Sequence, residues 1–178
     1  LLWTGFYYRN ASILAQAARI LGREEDERLY SRLAASIKDA LHARWYDAKT
    51  GGYATNSQTA NCFALALDVV PSSVREGVLQ NIAADITRRG GHFHLGNVGI
   101  SSVMDLSLAE EGRGELMYNV INQTSYPGWG YMVTQGATTL WEAWGLRNDV
   151  GSGEESMGMW NSIEEFFYRD LAGIGGPR

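Results

Sequence analysis

Two kinds of helical pattern alternate along the first part of the chain. Residues 4–21 and 58–69 are apolar on nearly every side, which is typical of helices that are buried on more than one face. Residues 24–44 and 74–86 instead carry one apolar stripe opposite charged side chains. A double layer of helices, with an inner and an outer ring, would produce this alternation.

Glycine- and proline-bearing segments separate the helices, with turns expected at residues 47–52, 90–99 and 125–131. Shorter helices are predicted at residues 100–110, 114–123 and 162–171. The total of roughly six or seven helices is about half of a twelve-helix barrel. We therefore predict an all-α fold, a partial (α/α)6 barrel or toroid with alternating inner and outer helices, in which residues 1–178 form one domain. A solenoid is the structural alternative, although no clear repeat is present.

Composition and charge exclude several classes of partner. The 178 residues carry a net charge of −5 that is spread along the chain, so we expect neither nucleic acid nor an anionic membrane surface as partner. No apolar stretch approaches the roughly 20 residues of a membrane span. The chain starts without methionine or a signal peptide, inside a hydrophobic segment, as expected of a piece of a longer protein.

Residue types that bind metals or act as nucleophiles are sparse. The single cysteine, Cys62, excludes an internal disulfide and lies in an apolar run, so we predict a buried core thiol. The three histidines lack zinc-site spacing, and His92 and His94 are predicted to be surface residues of a loop, with metal binding by the pair as the alternative. No phosphate-binding glycine loop or nucleophile elbow is present. We expect no cofactor and no metal.

The strongest chemical candidate is Glu142, which lies between Trp141 and Trp144. Aromatic neighbours reduce the solvation of a carboxylate and can raise its pKa, which suits general acid or base catalysis. A structural glutamate inside a helical core is the alternative, and residue chemistry alone leaves both interpretations open. The other acidic runs, at residues 24–26, 110–111 and 164–165, are predicted to be structural.

Several segments, in order, resemble bacterial α-L-rhamnosidases of glycoside hydrolase family 78. Residues 126–132 (YPGWGYM) and 135–144 (QGATTLWEAW) are similar to the signature of that family, and this stretch is long and specific. Residues 164–174 are similar to the last helix of the family's barrel. Weaker matches of the same kind and order occur upstream, at residues 4–8, 57–60 and 90–92 and at Gly96 and Gly99.

The resemblance implies an (α/α)6 barrel that hydrolyses terminal α-L-rhamnosides with inversion of configuration. The family's catalytic base is the glutamate of a Trp-Glu-x-Trp motif, which corresponds here to Glu142. The resemblance makes Trp129, Trp141 and Trp144 candidates for the wall of the sugar pocket, with Trp3 a weaker one. The implied partner is a rhamnose-containing glycoside or polysaccharide.

The sequence departs from the family pattern in three respects. The family's catalytic acid and several acidic sugar-binding residues belong to the first half of the barrel, and no substitute is found here. Met157 stands where the family has a histidine, and a thioether does not donate the hydrogen bond of an imidazole. The β-sandwich domains that flank the family's barrel have no counterpart. We therefore expect self-association, or a partner that supplies the missing half-barrel.

Two other functions remain open. The chain is alternatively a catalytically silent carbohydrate-binding or assembly module, with Met157 marking a lost site. It is otherwise another (α/α)-barrel enzyme, such as a different glycosidase or a polysaccharide lyase. A lyase would be expected to use a tyrosine or histidine base on an acidic sugar, and the Trp-Glu-x-Trp context is unlike that.

Overall fold

The structure, a computed structural model, describes residues 1–106, 108–141, 144 and 162–175, and its regular elements are mostly helices. The helices are α1 (Leu2–Ile20), α2 (Glu24–Trp45), α3 (Gln58–Ala66), α4 (Ser72–Arg88), α5 (Asn97–Leu106), α6 (Gly114–Ile121), α7 (Trp129–Thr134) and α8 (Ile163–Glu165). The short strands β1 (Tyr46–Asp47) and β2 (Gly52–Tyr53) pair antiparallel. π-Helical turns, Ala109–Arg113 and Phe166–Leu171, precede α6 and follow α8. The predicted all-α fold is confirmed.

Helices α1 and α2 form the first helical hairpin. They pack along each other through small side chains, with Ala11 of α1 in one buried cluster with Ala34 and Ile37 of α2. Gly5 brings α1 against α3, because a Cβ atom at that position would lie 2.3 Å from the ring of Phe63. These small residues allow close approach of the helix backbones, as packed helices require.

The opposite side of α1 is exposed, which contradicts the sequence-based prediction. Residues 4–21 were expected to be buried on more than one side, yet only Gly5, Ala11 and Ala18 of α1 are buried. The α1 apolar face, as we call the exposed side chains, consists of Trp3, Phe6, Tyr7, Ile13, Leu14, Ile20 and Leu21. Phe6 contacts the ring of Phe63 in α3, with centroids 5.4 Å apart, and the other side chains of this face are more exposed than Phe6.

Helices α3 and α4 show the predicted contrast between an inner and an outer helix. All but two of the residues of α3 are buried, and its N-terminus is capped by Ser57, whose hydroxyl accepts a hydrogen bond from the backbone N–H of Ala60 at 3.2 Å. Helix α4 buries a single stripe that includes Val78, Ile82 and Ile86. The main hydrophobic core lies around α3, which packs against α4 and α5.

The boundaries differ from the predictions mostly in the second half. Helix α5 begins three residues before the predicted position, and α7 begins inside the loop predicted at residues 125–131. The glycine at position 112 has a φ of +73°, and this left-handed backbone breaks the chain's helical path before α6. None of the helices that the structure describes combines the length and the apolarity needed to cross a membrane. The polar stretch at residues 148–156 lies outside the described residues.

Candidate functional site

The loop between α6 and α7 leads to the first tryptophan of the candidate site. It contains a cis peptide bond between Tyr126 and Pro127 and leads directly into α7, where Trp129 is the first residue. A Cβ atom at Gly130 would lie 2.4 Å from the carbonyl oxygen of Gln123. Glycine is therefore required for the close contact between the start of α7 and the end of α6, and this contact positions Trp129.

Aromatic rings from separate parts of the chain meet at this loop. The rings of Trp129 and Trp144 pack edge to face with centroids 4.9 Å apart, and Phe93 contacts Trp129 in the same manner at 6.3 Å. Tyr131 links Trp141 to the loop, with ring centroids 6.4 Å apart. Edge-to-face geometry is one of the two favoured arrangements of aromatic pairs. The structure thus brings together three of the four predicted tryptophans, directly or through Tyr131.

The indole N–H groups of two of these tryptophans differ in their partners. Nε1 of Trp144 donates a hydrogen bond to the carbonyl oxygen of Leu95 at 3.2 Å. Nε1 of Trp129 is buried, and in the described part of the chain it has no acceptor. An unpaired buried donor of this kind costs roughly 1–3 kcal/mol of folding free energy.

Glu142, the predicted catalytic residue, lies outside the described residues, as does Met157. The residues on either side of Glu142 are described: Trp141 is 4% exposed and Trp144 is half-buried, and both contact the aromatic cluster. The position of Glu142 in the chain is therefore bracketed by two anchored indoles.

Trp3 is separate from the other predicted residues. It lies on α1 with 89% of its surface exposed, and among the described residues it makes no ring contact with Trp129, Trp141 or Trp144. By contrast, Trp129 is only 6% exposed. The predicted pocket wall therefore consists of two buried indoles, one half-buried indole, and Trp3 on a different surface.

His92 was predicted to be a surface residue, and this prediction is wrong. Its side chain is buried beside the loop before α7, with Nδ1 2.8 Å from the carbonyl oxygen of Pro127 and Nε2 3.1 Å from Oγ of Ser125. The reason is that the loop before α7 folds over it. His94, two residues later, is exposed as predicted.

A buried polar network beside the candidate site was also not predicted from the sequence. Nε2 of Gln58 donates to Asp85 at 2.7 Å, and Oε1 of Gln58 accepts a hydrogen bond from the backbone N–H of His94 at 2.8 Å. Burial acts to raise the pKa of Asp85, but hydrogen bonds from Arg89 and Gln58 and the charges of Arg89 and Arg88 outweigh it and lower that pKa. The network joins α3 and α4 to the segment that contains His92.

The other groups considered in the sequence, a cysteine and two glutamates, have structural roles. Cys62 is fully buried, as predicted, and burial raises the pKa of its thiol to about 12. Glu111 and Glu165 form ion pairs with Arg75 and Arg169. Across the residues that the structure describes, no cluster of three or more histidine, cysteine, aspartate or glutamate side chains is arranged to hold a metal ion.

Residues 1–171 match the family model of the bacterial α-L-rhamnosidase six-hairpin glycosidase domain. The chain belongs to this family. This rhamnosidase-family chain is 29% identical to an α-L-rhamnosidase of Formosa agariphila and 28% identical to one of Streptomyces avermitilis, each over 98% of the chain. It spans 19% and 17% of the lengths of those relatives, which is about a fifth.

Solved structures agree with the family assignment. The rhamnosidase-family chain superposes on an α-L-rhamnosidase from Dictyoglumus thermophilum with a TM-score of 0.86 and 35% identity, over 93% of this chain and 19% of that one. For the Streptomyces avermitilis enzyme in complex with L-rhamnose, the TM-score is 0.87 at 25% identity, over 98% of this chain and 17% of that one. Both the resemblance found in the sequence and the predicted fold class are confirmed.

Proposed function

We propose that this chain supplies the catalytic base, Glu142, and part of the sugar pocket of an inverting α-L-rhamnosidase. The family match, which runs through the Trp-Glu-x-Trp segment, carries the proposal. The packing of Trp141 and Trp144, the two tryptophans of the Trp-Glu-x-Trp segment, against the aromatic cluster supports it. A relative of similar fold has been solved with L-rhamnose bound.

In the proposed reaction, the carboxylate of Glu142 removes a proton from a water molecule as that water attacks the anomeric carbon. A carboxylic acid on the opposite side of the sugar protonates the leaving oxygen, and the two carboxyl groups stand roughly 6.5–9.5 Å apart to leave room for the water. In this proposal the acid is contributed by residues other than those of this chain.

The tryptophans would then have distinct roles in binding the sugar. Trp144 is half-buried and retains surface against which the C–H face of a sugar ring can pack. Trp129 and Trp141 are buried, so they would shape the pocket from behind rather than contact the sugar. Trp3 belongs to the α1 apolar face and would act only where a second surface completes the pocket.

The same face supports a proposal about assembly. We propose that residues 1–178 form the second half of a toroid and that the α1 apolar face is covered by the other half or, in its absence, by a second copy of this chain. The proposal rests on the seven large apolar side chains that α1 exposes. Contiguous apolar patches of this kind are rarely left in contact with water.

A substrate that needs no acid isolates the role of Glu142. In 2,4-dinitrophenyl α-L-rhamnoside the leaving group departs without protonation, so a base alone is sufficient for hydrolysis. We expect Glu142→Gln to lower kcat/KM by roughly 100-fold or more, the usual contribution of a general base. Glu164→Gln, an exposed glutamate outside the site, is the matched control and should retain wild-type rates.

Two further observations would decide the mechanism. Proton NMR of the first product should show rhamnose of inverted anomeric configuration. Azide should restore turnover to Glu142→Ala, because azide attacks without the help of a base, and the product should be a rhamnosyl azide of inverted configuration. Equal rates for the wild-type chain and Glu142→Gln would refute the base assignment, and binding of L-rhamnose without any turnover would indicate a silent sugar-binding module instead.

A further inference from the structure

The segment His92–Leu95, which we call the strap, runs between the buried network and the aromatic cluster. Three of its four side chains, His92, Phe93 and Leu95, are buried, whereas His94 is exposed. Each of its residues makes a contact that fixes a different neighbour. The strap therefore links the helical core to the loop that precedes Trp129.

His92 holds the loop before α7 by two hydrogen bonds. A carbonyl oxygen only accepts, so Nδ1 must carry the proton that is donated to Pro127, across 2.8 Å. In the neutral ring Nε2 is then an acceptor, and the hydroxyl of Ser125 donates to it across 3.1 Å. The two hydrogen bonds hold the loop at residues 125 and 127, shortly before Trp129.

The remainder of the strap contacts both indoles of the cluster. Phe93 packs edge to face against Trp129, and the carbonyl oxygen of Leu95 accepts the hydrogen bond from Nε1 of Trp144. The Trp129 and Trp144 rings in turn contact each other at 4.9 Å. The strap therefore determines the separation and tilt of this pair of indoles.

The core anchors the strap from the other side. The backbone N–H of His94 donates to Gln58, which is buried at the first turn of α3 and is held by Asp85 of α4. Gly91, immediately before the strap, has a φ of +87°, and a Cβ there would lie 2.9 Å from the side chain of Gln123. The strap is therefore attached both to the core and to the loop before α7. A residue needs such rigid support in order to position a site.

We propose that His92 is a positioning residue of the rhamnosidase site: by holding the loop at Ser125 and Pro127, it fixes the Trp129–Trp144 pair of the proposed sugar pocket. The proposal rests on the proposed function. Displacements of about 1 Å in a positioning element cost up to roughly 100-fold in rate. His92 touches no reacting atom in this scheme, and its effect is transmitted through the loop and the two indoles.

The structure suggests four variants that separate positioning from general stability. The side-chain amide of asparagine reaches the place of Nδ1, so His92→Asn keeps a donor for Pro127, whereas His92→Gln places its amide near Nε2 and loses that donor. His92→Ala removes both bonds. His94→Ala is the matched control, because the side chain of His94 is exposed and only its backbone N–H contacts Gln58.

Near-ultraviolet circular dichroism provides a readout independent of activity, since two indoles in edge-to-face contact give a coupled signal. Trp129→Phe defines the part of the signal that this pair contributes. We expect His92→Ala and His92→Gln to lose most of that part in the folded chain, and His92→Asn and His94→Ala to keep it. An unchanged spectrum in folded His92→Ala would overturn the proposal, even if the variant melts at a lower temperature.

Functional measurements then test the consequence. With 2,4-dinitrophenyl α-L-rhamnoside, we expect His92→Ala and His92→Gln to lower kcat by about 10- to 100-fold and His92→Asn to recover most of the loss. L-rhamnose affinity, measured by calorimetry, should weaken in the same order. If the wild-type chain neither binds L-rhamnose nor hydrolyses the substrate, alone or with the other half of the toroid added, the proposed function is refuted, whereas the dichroism series still decides whether His92 fixes the indole pair.

Discussion

Helices α1 and α3 have similar apolar sequences but opposite surroundings. Helix α3 is buried on nearly every side by α4, α5 and the hairpin of strands, whereas α1 buries only three small residues against its neighbours. An apolar pattern indicates which surface has to be covered, and only the tertiary structure shows what covers it. The contrast teaches that α1 has the composition of an inner helix without the contacts of one.

A matched pair of leucine truncations provides the largest test of this contrast. Leu65 in α3 is 2% exposed and Leu14 in α1 is 46% exposed. We expect Leu65→Ala to lower the free energy of unfolding by about 3 kcal/mol, because truncation of a buried leucine leaves a cavity. Leu14→Ala should lower it by less than about 1 kcal/mol. Urea unfolding followed by far-ultraviolet circular dichroism gives both values.

The experiment should be made at the lowest protein concentration that gives a signal, since association would stabilise the folded chain and mask the difference. Similar losses in the two variants at that concentration would mean that Leu14 is buried in solution. The proposed distinction between the two helices would then be wrong for the isolated chain.

The helical architecture was largely predictable from the sequence. The amphipathic pattern gave the bounds of α2 to within one residue, and Ser57 and the glycines marked the ends of other helices. The beginning of α7 was missed because Trp129–Thr134 is short, and its position depends on the close contact of Gly130 with Gln123 rather than on periodicity. Short helices are determined by tertiary contacts more than by their own sequence.

The site was predictable only as far as residue types identify it. The aromatic-glycine segment pointed to Trp129, Trp141 and Trp144, but a tryptophan that packs a core and one that binds sugar look alike in a sequence. His92 was missed because its burial depends on Ser125 and Pro127, more than thirty positions away. The preceding Gly90 and Gly91 were the only local hint that the backbone there is tightly constrained.

The contact between α3 and α4 supplies the next test, through a buried carboxylate. Asp85 accepts hydrogen bonds from Gln58 and Arg89, and its pKa is lowered by Arg89, Gln58 and Arg88 in spite of burial, which acts to raise it. We expect Asp85→Asn to lower the free energy of unfolding at pH 7 by about 2 kcal/mol, the usual value of hydrogen bonds to a charged group. Denaturant unfolding at several pH values measures the difference from wild type.

The sign of the pH dependence follows from the direction of the shift. A carboxylate whose folded-state pKa is lowered contributes stability above its unfolded pKa, near the ordinary value of 3.8, and loses it as the pH falls through the folded pKa. The advantage of wild type over Asp85→Asn should therefore be full at pH 7 and shrink below about pH 4. Asp39→Asn, at an exposed position of α2, should show a difference within about 0.5 kcal/mol at every pH. A constant advantage of wild type over Asp85→Asn down to pH 2 would contradict the role of the ionised carboxylate.

The smallest expected effect on folding, and the sharpest on association, comes from charging the α1 apolar face. Leu14 and Leu21 are seven residues apart, so both lie on the same exposed side of α1. In the double variant Leu14→Glu, Leu21→Glu we expect a change of about 0.5 kcal/mol or less in the free energy of unfolding. Sedimentation velocity at micromolar concentration should show dimers or larger species for the wild-type chain and monomers for the double variant.

The control is Arg32→Glu on the polar side of α2, which changes the charge without touching the α1 apolar face and should associate like wild type. If the wild-type chain is monomeric across that concentration range, a second copy does not cover α1. The apolar face would then be tested with the other half of the toroid, whose addition should form a stable complex with wild type but not with the double variant.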